Sequence, residues 1–163
     1  MKVTFTRTGE KRYRVSVDGP GITPSWAEPA PGYDARLPHD MAHFIVENEL
    51  NIAAGIFGQL AAGGHAKTFH PETDKKLRKL KLRGDRMAAA GRDDCILSEK
   101  VVALAWQRWN NRDVSGTDKD ISNAELHRVC RKFDAASSEW SGLAVGESMM
   151  LIWNGAGRQS RRC

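Results

Sequence analysis

Cysteine is scarce in this chain, and none of it is arranged in pairs. Cys95, Cys130 and Cys163 are an odd number, far apart, with no CxxC. That pattern excludes a disulfide framework and a zinc-finger ligand set, and it points to a reducing, cytoplasmic setting. Long apolar runs are also missing. No stretch approaches the roughly 18 residues that a membrane span needs. The opening MKVTFTRTGEK alternates polar and apolar residues, where a secretory signal needs a continuous apolar core. A soluble protein with no membrane partner is therefore expected. There is no GxxxxGK[ST], no GxGxxG behind a strand and no GxSxG around Ser98, Ser115, Ser122 or Ser148. The usual nucleotide-binding and activated-serine signatures are thus absent.

What is present is an ordinary globular composition with one uneven feature. Of 163 residues, 40% are apolar and 28% charged, enough to build a core without staples. The net charge is +5, but residues 75–86 hold seven basic side chains and one acidic. That segment carries +6, so the rest of the chain is nearly neutral, and any argument for a polyanionic partner reduces to one helix.

The periodicities predict an α+β fold. Residues 2–7 and 12–18 alternate strictly and form a hairpin, with Val3 and Phe5 on one buried face and Tyr13, Val15 and Val17 on another. Residues 19–37 hold Pro20, Pro24, Pro29 and Pro31 and read as irregular. Pro38 opens a helix with Met41, Phe44 and Ile45 inward, and Asn51 is a candidate cap for a second, small-residue helix over 52–63. A basic helix follows over about 72–90, with Leu77, Leu80, Gly84 and Met87 as its inner stripe. Another covers about 94–110, with Leu97, Val101, Leu104 and Ala105 inward. A last one begins at the capping box Ser122-Asn123-Ala124-Glu125. Residues 149–153 are all apolar and predict a strand beside the N-terminal hairpin, buried on both faces or covered at its edge. The expected architecture is a small antiparallel sheet from both ends of the chain packed on four to five helices. It forms one domain over residues 1–153, with residues 154–163 a disordered basic tail.

One cluster is a candidate for chemistry. His39, His43 and Glu47 are spaced four apart and share one flank of a helix. Two histidines at i and i+4 can meet one metal ion, zinc or another divalent cation, with Glu47, His65 or His70 as a third donor. Asp40 is placed to accept a hydrogen bond from the second ring nitrogen of a ligating histidine. The structural alternative gives the same residues bland roles. Asp40 would face the helix dipole, His43 would be a satisfied half-buried ring, and Glu47 would pair with an arginine.

The pentad His39-Asp40-Met41-Ala42-His43 resembles the HExxH of zinc peptidases. It also resembles the HDxxH of a ubiquinone-biosynthesis family, whose following Glu would fall at Gly55; neither resemblance supports an enzyme assignment. The wider segment, LPHDMAHFIVE through GIFG and AAG, resembles a group of small bacterial proteins without an established activity, with weaker likeness in the hairpin and over 143–153. That resemblance implies a bacterial source and an intact domain, and no reaction.

The alternative function rests on Lys75, Lys79, Arg83 and Arg86, which form a basic stripe suited to phosphates or an acidic partner. No aromatic lies between Lys75 and Arg92, so base stacking is not expected, and a solvated helix face explains the same residues. A third possibility is a structural or interaction protein in which neither cluster acts.

Overall fold

The computed structural model describes residues 1–30, 32–72, 77–111 and 120–155. Lys75, Cys163 and the tail from residue 156 lie outside the described residues.

The fold is α+β. Strands β1 (Lys2–Gly9) and β2 (Arg12–Asp18) form the hairpin that the alternation predicts. Val3 faces Val17 and Phe5 faces Val15, all buried. The connection is tighter than the four-residue turn expected, because a register shift between Arg7 and Gly9 absorbs a residue into β1. A three-residue strand, β3 (Ser25–Ala27), pairs with β2 inside the segment expected to be irregular. The prolines there flank it without entering it, so its amides remain free to pair. Two residues, β4 (His70–Pro71), complete one side of the sheet. On the other side β5 (Ser148–Ile152) pairs with β1, Val3 opposite Leu151 and Phe5 opposite Met149. The order is β4-β3-β2-β1-β5, antiparallel throughout. The expectation that β5 is buried or covered is corrected: it is the end strand, and Met150 and Ile152 are exposed on its outer face.

Five helices are described. Helix α1 (His39–Leu50) is the central one, and every residue from Met41 to Glu47 is buried, where a single apolar face was expected. Asn51 ends it in the left-handed conformation (φ 54°) rather than opening the next helix. Helix α2 (Ile56–Ala61) is correspondingly shorter than the sequence suggests and starts after Gly55. Helix α3 (Leu77–Ala90) and helix α4 (Arg92–Trp109) are separated by Gly91 alone. A Cβ at Gly91 would fall 2.1 Å from Ala54 Cβ, so the bend needs glycine for close approach. Helix α5 (Asn123–Gly142) starts with the predicted capping box: Ser122 Oγ accepts from Glu125 N–H, and Ser122 N–H donates to Glu125 Oε2 at 2.9 Å. Leu126, Val129, Phe133 and Trp140 are buried, as its periodicity predicts. Trp106 and Trp109 of α4 meet Phe133 edge-on and tie α4 to α5. No described helix is long and apolar enough to cross a membrane.

The basic helix differs from expectation in depth. Of α3 only Gly84 is buried; Leu77, Leu80 and Met87 are half-buried. A Cβ at Gly84 would lie 2.2 Å from the His65 carbonyl oxygen, so backbone meets backbone there and the leucines beside it reach only partly inside. Leu82, on the side opposite Gly84, is half in solvent.

Candidate functional site

The site is built on α1. Its start is fixed by the loop before it: His39 N–H donates to Gly32 carbonyl oxygen, and Gly32 is in the left-handed region with its Cα against the His39 side chain. Asp40 does not serve a histidine, as the sequence suggested. It accepts from the Tyr13 hydroxyl of β2 at 2.9 Å. Burial raises the Asp40 pKa, and burial beside Asp40 pushes the Tyr13 hydroxyl above its usual range. The pair therefore fixes α1 to the sheet.

Glu47 lies one turn after His43 and is fully buried. Its carboxyl does not pair with an arginine. It turns to the start of α2, where Ile56 N–H donates to Oε1 at 3.0 Å and Phe57 N–H to Oε2 at 2.8 Å, with Gly58 N–H at 3.4 Å. Those amides are the free donors of a helix N-terminus, and a carboxylate there also meets the positive end of the dipole. Glu47 does from α1 what a capping side chain normally does from the preceding residue. Gly55 makes room for it: a Cβ at that position would fall 2.2 Å from the Glu47 carboxyl carbon. The Ser98 hydroxyl of α4 donates to Oε1 at 3.0 Å. Burial pushes Glu47 up to about 7, against the downward pull of its four hydrogen bonds.

Ser98 is also the link to His43. Its oxygen lies 3.1 Å from His43 Nδ1, and with its proton given to Glu47 it accepts from Nδ1–H. With Glu47 ionised, the chain His43–Ser98–Glu47 favours the Nδ1–H tautomer, in which Nε2 carries a lone pair. His43 is 2% exposed, and its Nε2 is buried with no hydrogen-bond partner. Burial first, then the neighbouring His39, lowers His43 to about 4, so the ring is neutral at physiological pH. Two exposed residues stand beside the ring. The His39 ring makes an edge contact with the His43 ring, centroids 4.6 Å apart. Glu99 Oε2 lies 3.6 Å from Nε2. With Nε2 unprotonated, that contact sets a lone pair against a carboxylate and satisfies neither group.

The structure thus brings His39, His43 and Glu47 to one flank of α1, as their spacing predicts, but their roles diverge. Glu47 has both oxygens occupied. His65 lies away from this flank, beside Gly84 of α3, and the His70 ring packs tilted against the Trp26 ring, centroids 5.3 Å apart. Among the described residues no three His, Cys, Asp or Glu side chains already stand in a metal-binding group. Lys79, Arg83 and Arg86 are exposed along α3. Cys95 is half-buried and bonds the Ala54 carbonyl oxygen at 3.2 Å; burial first, then the nearby carboxylates, raises its pKa.

Two residues of the site escape sequence reasoning, Ser98 and Glu99. Ser98 carries a faint signal: with Val101, Val102 and Ala105 it forms the buried stripe of α4 and is the polar member of that stripe. A cleft of about 550 Å³ opens nearby, between the α1–α2 connection, the end of α3 and the start of α4. Its walls include Ala53, Ala54, Gly58, Met87 and Trp153, with Asp93 and Asp94 among its acidic lining. Glu47 and His43 do not line it. No family model, curated protein or solved structure matches the chain.

Proposed function

We propose that this protein binds a divalent metal ion at the N-terminal end of α1, with His43 Nε2 and His39 as nitrogen donors and Glu99 in the place the sequence offered to Glu47, His65 or His70. The observation that carries this reading is the buried, unpartnered Nε2 of His43. Its ring is held by Nδ1 through Ser98 to a carboxyl, the outer-shell arrangement that orients metal-ligating histidines and makes them better donors. The low pKa of His43 keeps the ring in the neutral form that a metal requires. His39 and Glu99 are exposed, so both can move to an arriving ion, and oxygen and imidazole donors together suit zinc and its neighbours. We read the setting as cytoplasmic, which agrees with the free thiols of Cys95 and Cys130.

Element analysis of protein purified without chelator or affinity histidines tests the reading, followed by calorimetric titration of apo-protein with Zn²⁺. Close to one equivalent of metal is expected, lost in His43→Ala and weakened in Glu99→Gln. Absence of metal together with no heat on titration overturns it.

A second reading is favoured by α3. Arg78, Lys79, Lys81, Arg83 and Arg86 are all exposed on a helix whose one buried residue is a glycine. We propose that this face contacts nucleic-acid phosphates. Binding of labelled duplex to the protein must then weaken steeply as salt is raised. No binding at low salt removes this reading.

A further inference from the structure

We infer that β5 is a self-association edge: two copies of this chain pair their β5 strands antiparallel about a two-fold axis at Met150, joining two five-stranded sheets into one. The inference is independent of the metal and α3 readings and rests on how differently the sheet treats its two ends.

An end strand presents unpaired amides and carbonyls, and proteins guard such edges with shortness, proline, charge or a bulge. The β4 end has the first two guards. It is two residues long, one of them Pro71, and His70 beside it is packed against Trp26. Strand β5 itself, Ser148–Ile152, has none of the four; the one irregularity lies just before it, where Gly146 N–H and the Glu147 carbonyl oxygen both bond Arg7. Ser148, Met149, Met150, Leu151 and Ile152 carry no charge and no proline. The pairing with β1 runs without a register shift from Lys2–Ile152 to Thr6–Ser148. Two apolar side chains stand in solvent beside the free edge, Met150 at 57% and Ile152 at 46% exposure.

The register follows from the backbone. Trp153 N–H donates to the Met1 carbonyl oxygen and Arg7 N–H to the Glu147 carbonyl oxygen, so the odd-numbered residues of β5 bond β1. Alternation turns the amides and carbonyls of Ser148, Met150 and Ile152 to the free edge. One of these groups is partly covered: Asn48 Nδ2 reaches the Ile152 carbonyl oxygen at 3.5 Å. A two-fold axis at Met150 sets Met150 opposite Met150 of the second copy and Ser148 opposite its Ile152. Each Met150 amide then meets the other's carbonyl, and each Ile152 amide meets a Ser148 carbonyl.

The outer face accepts this pairing without charge conflict. Its central row would read Thr4, Met150, Met150, Thr4, and the rows beside it would read Lys2, Ile152, Ser148, Thr6 in opposite directions. The two Lys2 side chains are the closest like charges in those rows. They lie at opposite corners of the patch, roughly 20 Å apart by strand and residue spacing, beyond the screening length at physiological salt. A different protein offering a strand would need its own uncharged, apolar-faced edge; a second copy of this chain supplies one by symmetry. A five-residue strand pair with two exposed side chains on each copy stays below the about 1,200 Å² of a stable interface, so the dimer is weak and concentration-dependent.

The test uses the full chain and two single-cysteine additions at exposed positions, with the parent protein as control for its native thiols. Sedimentation over a wide concentration range is expected to show monomer passing to dimer, and Met150→Lys, which opposes two cations across the axis, to raise the dissociation constant roughly tenfold or more. Mild oxidation should link Met150→Cys to itself, because hydrogen-bonded partners across an antiparallel pair have Cα atoms about 5.5 Å apart, within disulfide reach. Ile152→Cys should stay unlinked beyond the control, since the two Ile152 positions are four residues out of register. A monomer at every concentration overturns the inference, and so does Ile152→Cys linking as readily as Met150→Cys.

Discussion

Helix α1 buries two ionisable side chains one turn apart, and the protein treats them oppositely. Glu47 is saturated: three amides of α2 and one hydroxyl of α4 take up its two oxygens. His43 is half-satisfied: one nitrogen is held by Ser98, and the other lies 3.6 Å from Glu99 Oε2 with no hydrogen-bond partner. A buried polar group with every bond made holds a fold together, whereas one with a bond left over, as at His43 Nε2 and also at Trp140 Nε1, calls for a separate explanation. The contrast gives Glu47 an architectural role and leaves His43 as the ligand candidate of our proposal, although the sequence sets them on the same flank as equivalent candidates.

The strongest way to break the comparison is to remove the saturated member. Glu47→Ala strands the N-terminal amides of α2 in the interior, and the expected loss is about 3–5 kcal/mol of stability. At this chain length that is a fall of roughly 10 °C in Tm, read by thermal denaturation followed by circular dichroism. His43→Ala, which leaves no comparable set of donors, should lose clearly less.

Gly55→Ala comes next. The new methyl would meet the Glu47 carboxyl, and overpacking of that kind costs about 1–3 kcal/mol. The two substitutions should not add. In the Glu47→Ala background Gly55→Ala should cost little, and a fully additive double mutant would mean that the carboxyl is not where the strain arises.

Ser98→Ala cuts the link between the two members. The expected stability loss is about 1–2 kcal/mol, and if a metal binds His43 its affinity should drop about 10–100-fold as the tautomer lock is lost. Retained affinity in Ser98→Ala would mean that Ser98 only supports Glu47.

The pH dependence separates the two groups by sign. Glu47 has its pKa raised from 4.5 to about 7 by folding, so its contribution is full below pH 4.5 and is lost as pH rises towards 7. His43 has its pKa lowered from 6.5 to about 4, so its contribution is full above 6.5 and is lost as pH falls towards 4. The two slopes oppose each other between 4.5 and 6.5 in the parent protein. Glu47→Gln should therefore gain stability as pH rises through that window, and His43→Gln should lose it. Denaturant midpoints measured at several pH values read both slopes, and equal slopes in the two variants would contradict the opposite burial effects.

The smallest effect is expected far from both groups. Lys79, Arg83 and Arg86 are exposed on α3, and replacing them with Gln should change stability by less than about 0.5 kcal/mol. If α3 contacts phosphates, the same triple substitution should flatten the salt dependence of binding, one counterion term for each lost contact.

Much of the fold was legible because its signals are local. Strict alternation around Val3, Phe5, Tyr13, Val15 and Val17 forces a hairpin with one wet face, Ser122 and Glu125 cap their own helix, and Pro38 opens α1 where backbone sterics require it. The site was legible only on its own helix: the spacing put His39, His43 and Glu47 on one flank without saying which way each turns. That direction depends on Ser98 and the start of α2, residues distant in sequence that arrive only when α1, α2 and α4 pack together. Asn51 shows the same limit, since its side chain suits a helix cap, yet the capping of α2 was already done by Glu47 from the neighbouring helix. The sequence by itself determined the periodicities, the turn positions and the placement of His39, His43 and Glu47 on one flank of α1, because these follow from backbone geometry and side-chain spacing within a few residues. Only the tertiary structure decided that Glu47 is spent and His43 is not, because satisfaction of a buried polar group is a property of everything that surrounds it.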